Sequence, residues 1–316
     1  MPHIPDESIH PELRRVGRAV RRFPSFTPRA LKAAACVINA ADRMGVWPGK
    51  SPRPRRAHLA RPDGTRLIVS VFDPKGGAEP GTPVVVWIHG GGFALGAPLQ
   101  DFYFIDQFVG MGCTVVAPSY RLSTQVPYPA AFDDCYRTLL WAYETFYEGA
   151  ECVRPLAVGG DSAGGSLCVA VCLRARDEGS VQVSFHMPLY PMLDDRMVTP
   201  SSRENDAPVW NSASNEAAWR MYLGELYGAD DVPAYAAPAR ALDFSGMPPG
   251  CTYVGDIEPF RDETVAYVER LRAAGINMDL LELPGCFHGF DMLCPTSSSA
   301  RQAAAFLQES FRRACF

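Results

Sequence analysis

Three short segments carry side chains that could do chemistry together. Gly160-Asp161-Ser162-Ala163-Gly164 follows the apolar run Leu156-Ala157-Val158-Gly159 and opens a helix-like stretch. That order of strand, sharp turn and helix raises a serine hydroxyl as a nucleophile. The turn strains the serine backbone, and side chains at Gly160 and Gly164 would collide with the neighbouring strand and helix. His89-Gly90-Gly91-Gly92 follows a second apolar run, Val84–Ile88. Consecutive glycines let backbone N–H groups approach a substrate carbonyl, so the amides of Gly91 and Gly92, joined by that of Ala163, are the expected donors to an oxyanion. His89 is expected to orient this loop through hydrogen bonds rather than to transfer protons.

A serine hydroxyl needs a base, and imidazole suits the task with its ordinary pKa near 6.5. The chain has six histidines. His3, His10 and His58 lie in the N-terminal part, His89 belongs to the glycine loop, and His186 sits inside an apolar run. His288, in Gly285-Cys286-Phe287-His288-Gly289-Phe290, follows the last apolar run and comes after the serine in chain order, as a base on this type of scaffold should. A carboxylate must hold that imidazole, and Asp256, Glu258, Asp262 and Glu263 crowd just past the run Cys251–Val254. Asp262 and Glu263 fall in the first turn of the next helix, where they complement its dipole. Asp256 and Glu258 remain.

The elements that must position these residues can be read from periodicity. Residues 11–45 repeat apolar positions at helical spacing, split at Pro24 and Pro28 and ended by Pro48, Pro52 and Pro54. His58–Arg61 and Leu67–Phe72 flank Pro62-Asp63-Gly64-Thr65, a hairpin signal. Val84–Ile88 reads as a strand buried on both faces, and similar runs recur at Cys113–Ala117, Leu156–Gly159, Val183–Leu189, Cys251–Val254 and Met278–Leu283. Between them Ala131–Tyr147, Ser162–Arg176, Asp262–Ala274 and Ser298–Arg313 read as helices, which predicts an α/β fold with a mostly parallel sheet covered on both sides.

Residues 191–248 break this alternation. They hold a helix near Ser212–Tyr222, capped by Ser212 or Ser214, and a long insertion of this kind is usually functional. The division expected is N-terminal cap helices in 1–50, a first core part in 51–190, a cap or lid insertion in 191–248 and a second core part in 249–316. A peripheral helical elaboration is the alternative to a lid. Phe93, Trp210, Trp219 and Tyr222 are the aromatic candidates for an apolar substrate pocket of limited depth.

Composition narrows the class. The 316 residues are 47% hydrophobic and 21% charged, with a net charge of -5, a globular profile without the basic footprint of a nucleic-acid binder. The basic groups at Arg14–Arg22 and Arg53–Arg56 read as solvated faces. No apolar run approaches the ~18 residues of a membrane span, and the N-terminus lacks the apolar core of a signal peptide, so a cytoplasmic protein is expected. Ten cysteines are scattered singly apart from Cys168 and Cys172, which read as small buried hydrophobes on one helix face rather than metal ligands. No metal or organic cofactor is implied.

The pair His89–Phe93 and Gly160–Gly165 resembles the hormone-sensitive-lipase-like branch of bacterial esterases in the α/β-hydrolase superfamily. The likeness extends through Tyr120-Arg121-Leu122, Pro127–Ala131, Glu258–Glu263 and His288-Gly289-Phe290, and so covers roughly residues 80–295. It implies an α/β-hydrolase core with a helical cap from the N-terminus and an insertion, and cofactor-free hydrolysis of short-acyl esters. An amidase or peptidase on the same residues, and a ligand-binding receptor on a hydrolase scaffold, are the rival functions. Matching Glu258-Pro259-Phe260-Arg261-Asp262-Glu263 to the family's Asp-Pro-Leu-Arg-Asp-Glu assigns the acid to Glu258, a glutamate where most relatives have aspartate. Ser123-Thr124-Gln125 departs from the usual Ala-Pro-Glu. Relatives often form homodimers through the sheet edge near the C-terminus, where Phe311 and Phe316 could serve, or could equally pack on the domain itself.

Overall fold

The computed structural model describes residues 4–22, 28–147 and 154–316; His3, Pro24 and Cys152 lie outside them. Its strands are β1 (Arg55–Ala60), β2 (Arg66–Phe72), β3 (Val84–Ile88), β4 (Thr114–Ser119), β5 (Leu156–Asp161), β6 (Phe185–Leu189), β7 (Gly250–Gly255) and β8 (Met278–Leu283). The helices are α1 (Arg14–Val20), α2 (Pro28–Arg43), α3 (Phe102–Gly110), α4 (Ala130–Tyr147), α5 (Ala163–Glu178), α6 (Pro200–Arg203), α7 (Ser212–Leu223), α8 (Arg261–Ala273), α9 (Phe290–Leu293) and α10 (Ser298–Cys315). One eight-stranded sheet runs in the order β1-β2-β4-β3-β5-β6-β7-β8. β2 pairs antiparallel with both β1 and β4, and every pairing from β4 to β8 is parallel. This is the α/β-hydrolase fold.

β3 shows why the run at 84–88 is apolar throughout. Val84, Val86 and Ile88 face α4 and α5, while Trp87 on the other face meets Phe104 and Phe108 of α3 with ring centroids 4.8 and 5.4 Å apart. Alternate side chains of a strand point to opposite faces, so a strand covered twice has no polar side. The hairpin at Pro62–Thr65 closes through Gly64 N–H to Arg61 O at 3.0 Å, with the Asp63 carboxylate accepting from Thr65 N–H at 2.9 Å.

Several expectations need correction. α3 was not anticipated: Phe102–Gly110 is only nine residues long, with Phe104, Ile105, Phe108 and Val109 forming its buried face and Asp106 turned to Lys50 and Ser51. β1 begins at Arg55, ahead of His58, and β6 begins at Phe185, beyond Val183. The cap of α7 is Asn211, whose side chain accepts from Ser214 N–H; Ser212 Oγ instead accepts from Asn205 N–H at 2.9 Å. Phe311 is buried against Phe108, with ring centroids 5.1 Å apart, and only Phe316 is exposed. Cys168 and Cys172 are buried on α5. Among the described residues no helix is long and apolar enough to cross a membrane.

Candidate active site

Ser162 stands at the N-terminus of α5 with φ 56° and ψ -119°, a left-handed conformation costing a non-glycine residue about 1–3 kcal/mol. Its surroundings enforce it. Ser162 N–H donates to Leu189 O at 2.9 Å, and Ser162 O accepts from Met192 N–H at 3.1 Å. A Cβ on Gly160 would lie 2.5 Å from Ile88 O, and one on Gly164 would lie 2.0 Å from the same oxygen. Both glycines are therefore required for the elbow to pack against β3, and the strain is carried at Ser162 alone.

The turns after β7 and β8 bring in the partners. His288 Nε2 lies 2.9 Å from Ser162 Oγ. On its other side Nδ1 is hydrogen-bonded to Glu258 Oε2, and Glu258 Oε1 accepts from Gly255 N–H at 3.0 Å. Glu258 is fully buried. Asp256, the rival carboxylate, faces the surface and accepts from Gly285 N–H at 2.7 Å. Tyr190 and Phe260 meet the His288 ring edge-on, each with centroids 5.0 Å away, which confines the imidazole to this orientation.

The glycine loop follows β3 directly. Gly91 and Gly92 have φ of 114° and 58°, a path that glycine takes without strain. Among the described residues no backbone or side-chain acceptor takes up the N–H of either. Ala163 is the first residue of α5, so its N–H has no acceptor within the helix. His89 lies beneath: its ring stacks on Tyr120 at 4.1 Å, Nδ1–H donates to Gly90 O at 2.8 Å, and Tyr120 OH donates to His89 O at 2.9 Å. Burial pushes His89 down to about 4, so it stays neutral and serves the loop by hydrogen bonding. His186 is a core residue, accepting from Tyr267 OH at 2.8 Å through Nε2.

A cavity of about 400 Å³ opens over Ser162 and His288. Gly91, Gly92 and Trp210 line it as expected, with Leu95, Phe102, Val209, Met292 and Leu293 supplying more apolar wall. Phe93, Trp219 and Tyr222 do not line it. They are buried together behind the loop, with Phe93 stacked on Tyr222 at 3.8 Å and tilted against Trp219 at 5.5 Å. An aromatic side chain suits a packed core and a pocket equally well, so the sequence did not separate the two.

A layer of buried carboxyls beneath the serine was not foreseen. Asp101 accepts from Trp87 Nε1–H at 2.8 Å and lies beside the carboxyl of Asp161, the residue before Ser162. Burial pushes both carboxyls up, Asp101 to about 6 and Asp161 well above the usual range. Asp291 accepts from Tyr190 OH at 3.1 Å and from Tyr253 OH. Asp161 was visible within its motif, but nothing in the sequence connects it to Asp101.

Comparison with known proteins gives consistent relatives. A family profile for the alpha/beta hydrolase fold matches residues 85–292. The esterase LipI of Mycobacterium tuberculosis is 34% identical over 233 residues, 73% of this chain and 72% of LipI. An ethyl acetate hydrolase of Pseudomonas putida is 23% identical over 98% of each chain. Among solved structures, a bacterial heroin esterase superposes with a TM-score of 0.87 at 32% identity, covering 98% of this chain and 99% of that one.

Proposed function

Since the chain belongs to the hormone-sensitive-lipase-like family of α/β-hydrolases and is a carboxylic ester hydrolase, we propose that it cleaves small, soluble short-acyl esters through an acyl-enzyme on Ser162. The observation that carries this reading is the bridging imidazole: His288 contacts the Ser162 hydroxyl through Nε2 and the buried Glu258 carboxylate through Nδ1. His288 takes the proton as Ser162 Oγ attacks the ester carbonyl, and Glu258 stabilises the imidazolium. The oxyanion is held by the amides of Gly91, Gly92 and Ala163, each such donor contributing about 3–4 kcal/mol. His288 then protonates the departing alcohol, and water, deprotonated by the same imidazole, releases the acid.

The small apolar cavity supports a short acyl group, as do the names of two relatives, an ethyl acetate hydrolase and a heroin esterase. We assign residues 1–50 and 191–248 to a cap over this cavity. The support is that Val209 and Trp210 of the insertion line it, while His10 N–H donates to Gly285 O at 2.8 Å beside the His288 loop.

The test is kcat/KM along a p-nitrophenyl ester series from acetate to decanoate, together with organophosphonate labelling of the parent and of Ser162→Ala. Activity should peak at the short acids, and label should be lost in the variant. Turnover of emulsified long-chain triglyceride equal to that of soluble acetate contradicts the substrate class; label retained in Ser162→Ala contradicts the nucleophile.

A further inference from the structure

Val209, in the insertion, has φ 72°. A β-branched residue in that region is a genuine outlier. It sits at the centre of a three-residue turn, because Trp210 N–H donates to Pro208 O at 2.9 Å. A γ-turn with positive φ at its middle residue is rare and strained, and such strain persists only where the surroundings over-determine it.

Here they do. The loop is closed at its base by two reciprocal bonds, Asn205 N–H to Ser212 Oγ at 2.9 Å and Ser212 N–H to Asn205 O at 3.0 Å. Inside it Asn205 Oδ1 accepts from Ala207 N–H at 2.9 Å, while Asn205 Nδ2 donates to Ile257 O at 3.1 Å, next to Glu258. From outside, Asp206 accepts from Ile4 N–H at 2.7 Å. Pro208 packs on α1 so closely that a Cβ on Gly17 would stand 3.3 Å from its Cγ.

The strained turn determines where the next side chain goes. The Trp210 ring lies across the oxyanion loop, so near that a Cβ on Gly92 would be 2.5 Å from its Cη2, and its centroid is 6.3 Å from that of His288. Val209 and Trp210 both form cavity wall. We infer that the 205–212 loop is a strained brace whose turn at Val209 holds Trp210 as the wall that limits how bulky an ester can lie between the Gly92 amide and the His288 imidazole. Val209 is a positioning residue acting through Trp210. The inference rests on Ser162 and His288 as the reacting pair.

The experiment compares the full-length parent with Val209→Gly, Val209→Asn and Trp210→Ala. Organophosphonate labelling of Ser162 is run first on each, so that failure of the catalytic reading shows as an unlabelled parent and is separate from failure of the brace. The readout is the ratio of kcat/KM for a branched, bulky acyl ester to that for acetate. Glycine takes positive φ freely and also lets the turn open, whereas asparagine tolerates the left-handed region and keeps a side chain that biases the turn toward it. Val209→Gly and Trp210→Ala should both raise the ratio about tenfold, within the range a changed pocket contact allows, and Val209→Asn should stay within about threefold of the parent. In the double variant Val209→Gly/Trp210→Ala the ratio should be no higher than in Trp210→Ala alone, because the glycine acts through the ring; a ratio that multiplies the two single effects makes the Val209 side chain itself the wall and overturns the inference. A ratio unchanged in Val209→Gly overturns the inference. So does a Val209→Asn ratio as high as that of Val209→Gly, which would assign the effect to the lost valine side chain and not to the turn.

Discussion

Replacing Glu258 by glutamine should reduce turnover severely, for a reason visible in how the two carboxylate oxygens are used. Oε1 accepts from Gly255 N–H at 3.0 Å, and Oε2 faces His288 Nδ1. A glutamine in that buried position must keep its carbonyl oxygen on the Gly255 amide, since turning its NH2 there would set two donors against each other at a cost of about 1–3 kcal/mol. Its NH2 then faces Nδ1, which must become an acceptor. The ring proton moves to Nε2, the atom 2.9 Å from Ser162 Oγ, and the imidazole can no longer accept the serine proton. Restoring the useful tautomer requires the unfavourable flip, and the imidazolium formed later has lost a charge-assisted hydrogen bond of about 1.5–3 kcal/mol. Together these give about 2.5–6 kcal/mol, a fall in kcat of about 10²- to 10⁴-fold.

Asp256→Asn is the control. Asp256 lies at the surface and accepts a bond from Gly285 N–H at 2.7 Å that an asparagine carbonyl accepts equally well. The expected loss is under about threefold, the scale of an ordinary surface change. Both variants are assayed for kcat on a soluble short ester, with thermal melts to establish that they fold. The reasoning is refuted if Asp256→Asn loses a hundredfold while Glu258→Gln stays near the parent.

Three further outcomes follow from the same geometry. Gly164→Ala puts a Cβ 2.0 Å from Ile88 O, a backbone overlap that no rotamer relieves, so the elbow must shift; labelling of Ser162 should vanish and the melting temperature should drop, and retention of both refutes the steric reading. Gly92→Ala meets the Trp210 ring at 2.5 Å and a φ of 58°, so the loop amide should leave its place and kcat should fall about 10²-fold while the chain still folds; activity above a tenth of the parent's argues against an oxyanion role for this loop. Burial lowers both His89 and His186 to about 4. An unfolded histidine titrates near 6.5, so between those values the unfolded chain binds protons that the folded chain refuses. The stabilisation is full above pH 6.5 and is lost as pH falls through the window toward 4, by about 2–3 kcal/mol per ring at pH 4.5. Urea unfolding of the parent and His186→Gln at pH 7.5 and pH 4.5 isolates this from the buried carboxyls, whose raised pKa acts with the opposite sign; an equal change in the two proteins removes His186 from the account.

Much of the core was legible because it obeys local rules. Val84–Ile88 is apolar at every position since it is covered on both faces, and the glycines around Ser162 follow from the steric demands of the elbow. His288 could be selected among six histidines because chain order and the end of a strand leave few places from which an imidazole can reach the serine. α3 was missed for a different reason: Phe102–Gly110 spans only nine residues, with Asp106 and Gln107 its sole polar interruption, too short a stretch for the helical period to stand out from an apolar run. The choice between Asp256 and Glu258 lay beyond composition and spacing, because both follow β7 closely. The turn from Gly255 to Phe260 tethers one oxygen of Glu258 to Gly255 and directs the other to His288 Nδ1, which supports the proposal of Glu258 as the acid.

The aromatic residues around the cavity mark where local reading fails, and the failure is informative about how this site is built. Phe93, Trp210, Trp219 and Tyr222 are chemically alike, yet only Trp210 reaches the cavity; the other three pack against one another. What separates them is backbone path, and the decisive residue is Val209, whose φ of 72° runs against the preference of its own side chain. Propensity would place an extended residue there. The turn exists because Asn205, Asp206 and Pro208 are each held by distant partners, at Ile257, Ile4 and Gly17. A conformation imposed from so far along the chain leaves no local signature. Departures from local rules are expected where a site demands a geometry the chain would not adopt alone, and in this protein they fall at Ser162 and Val209, both in the wall of the same cavity.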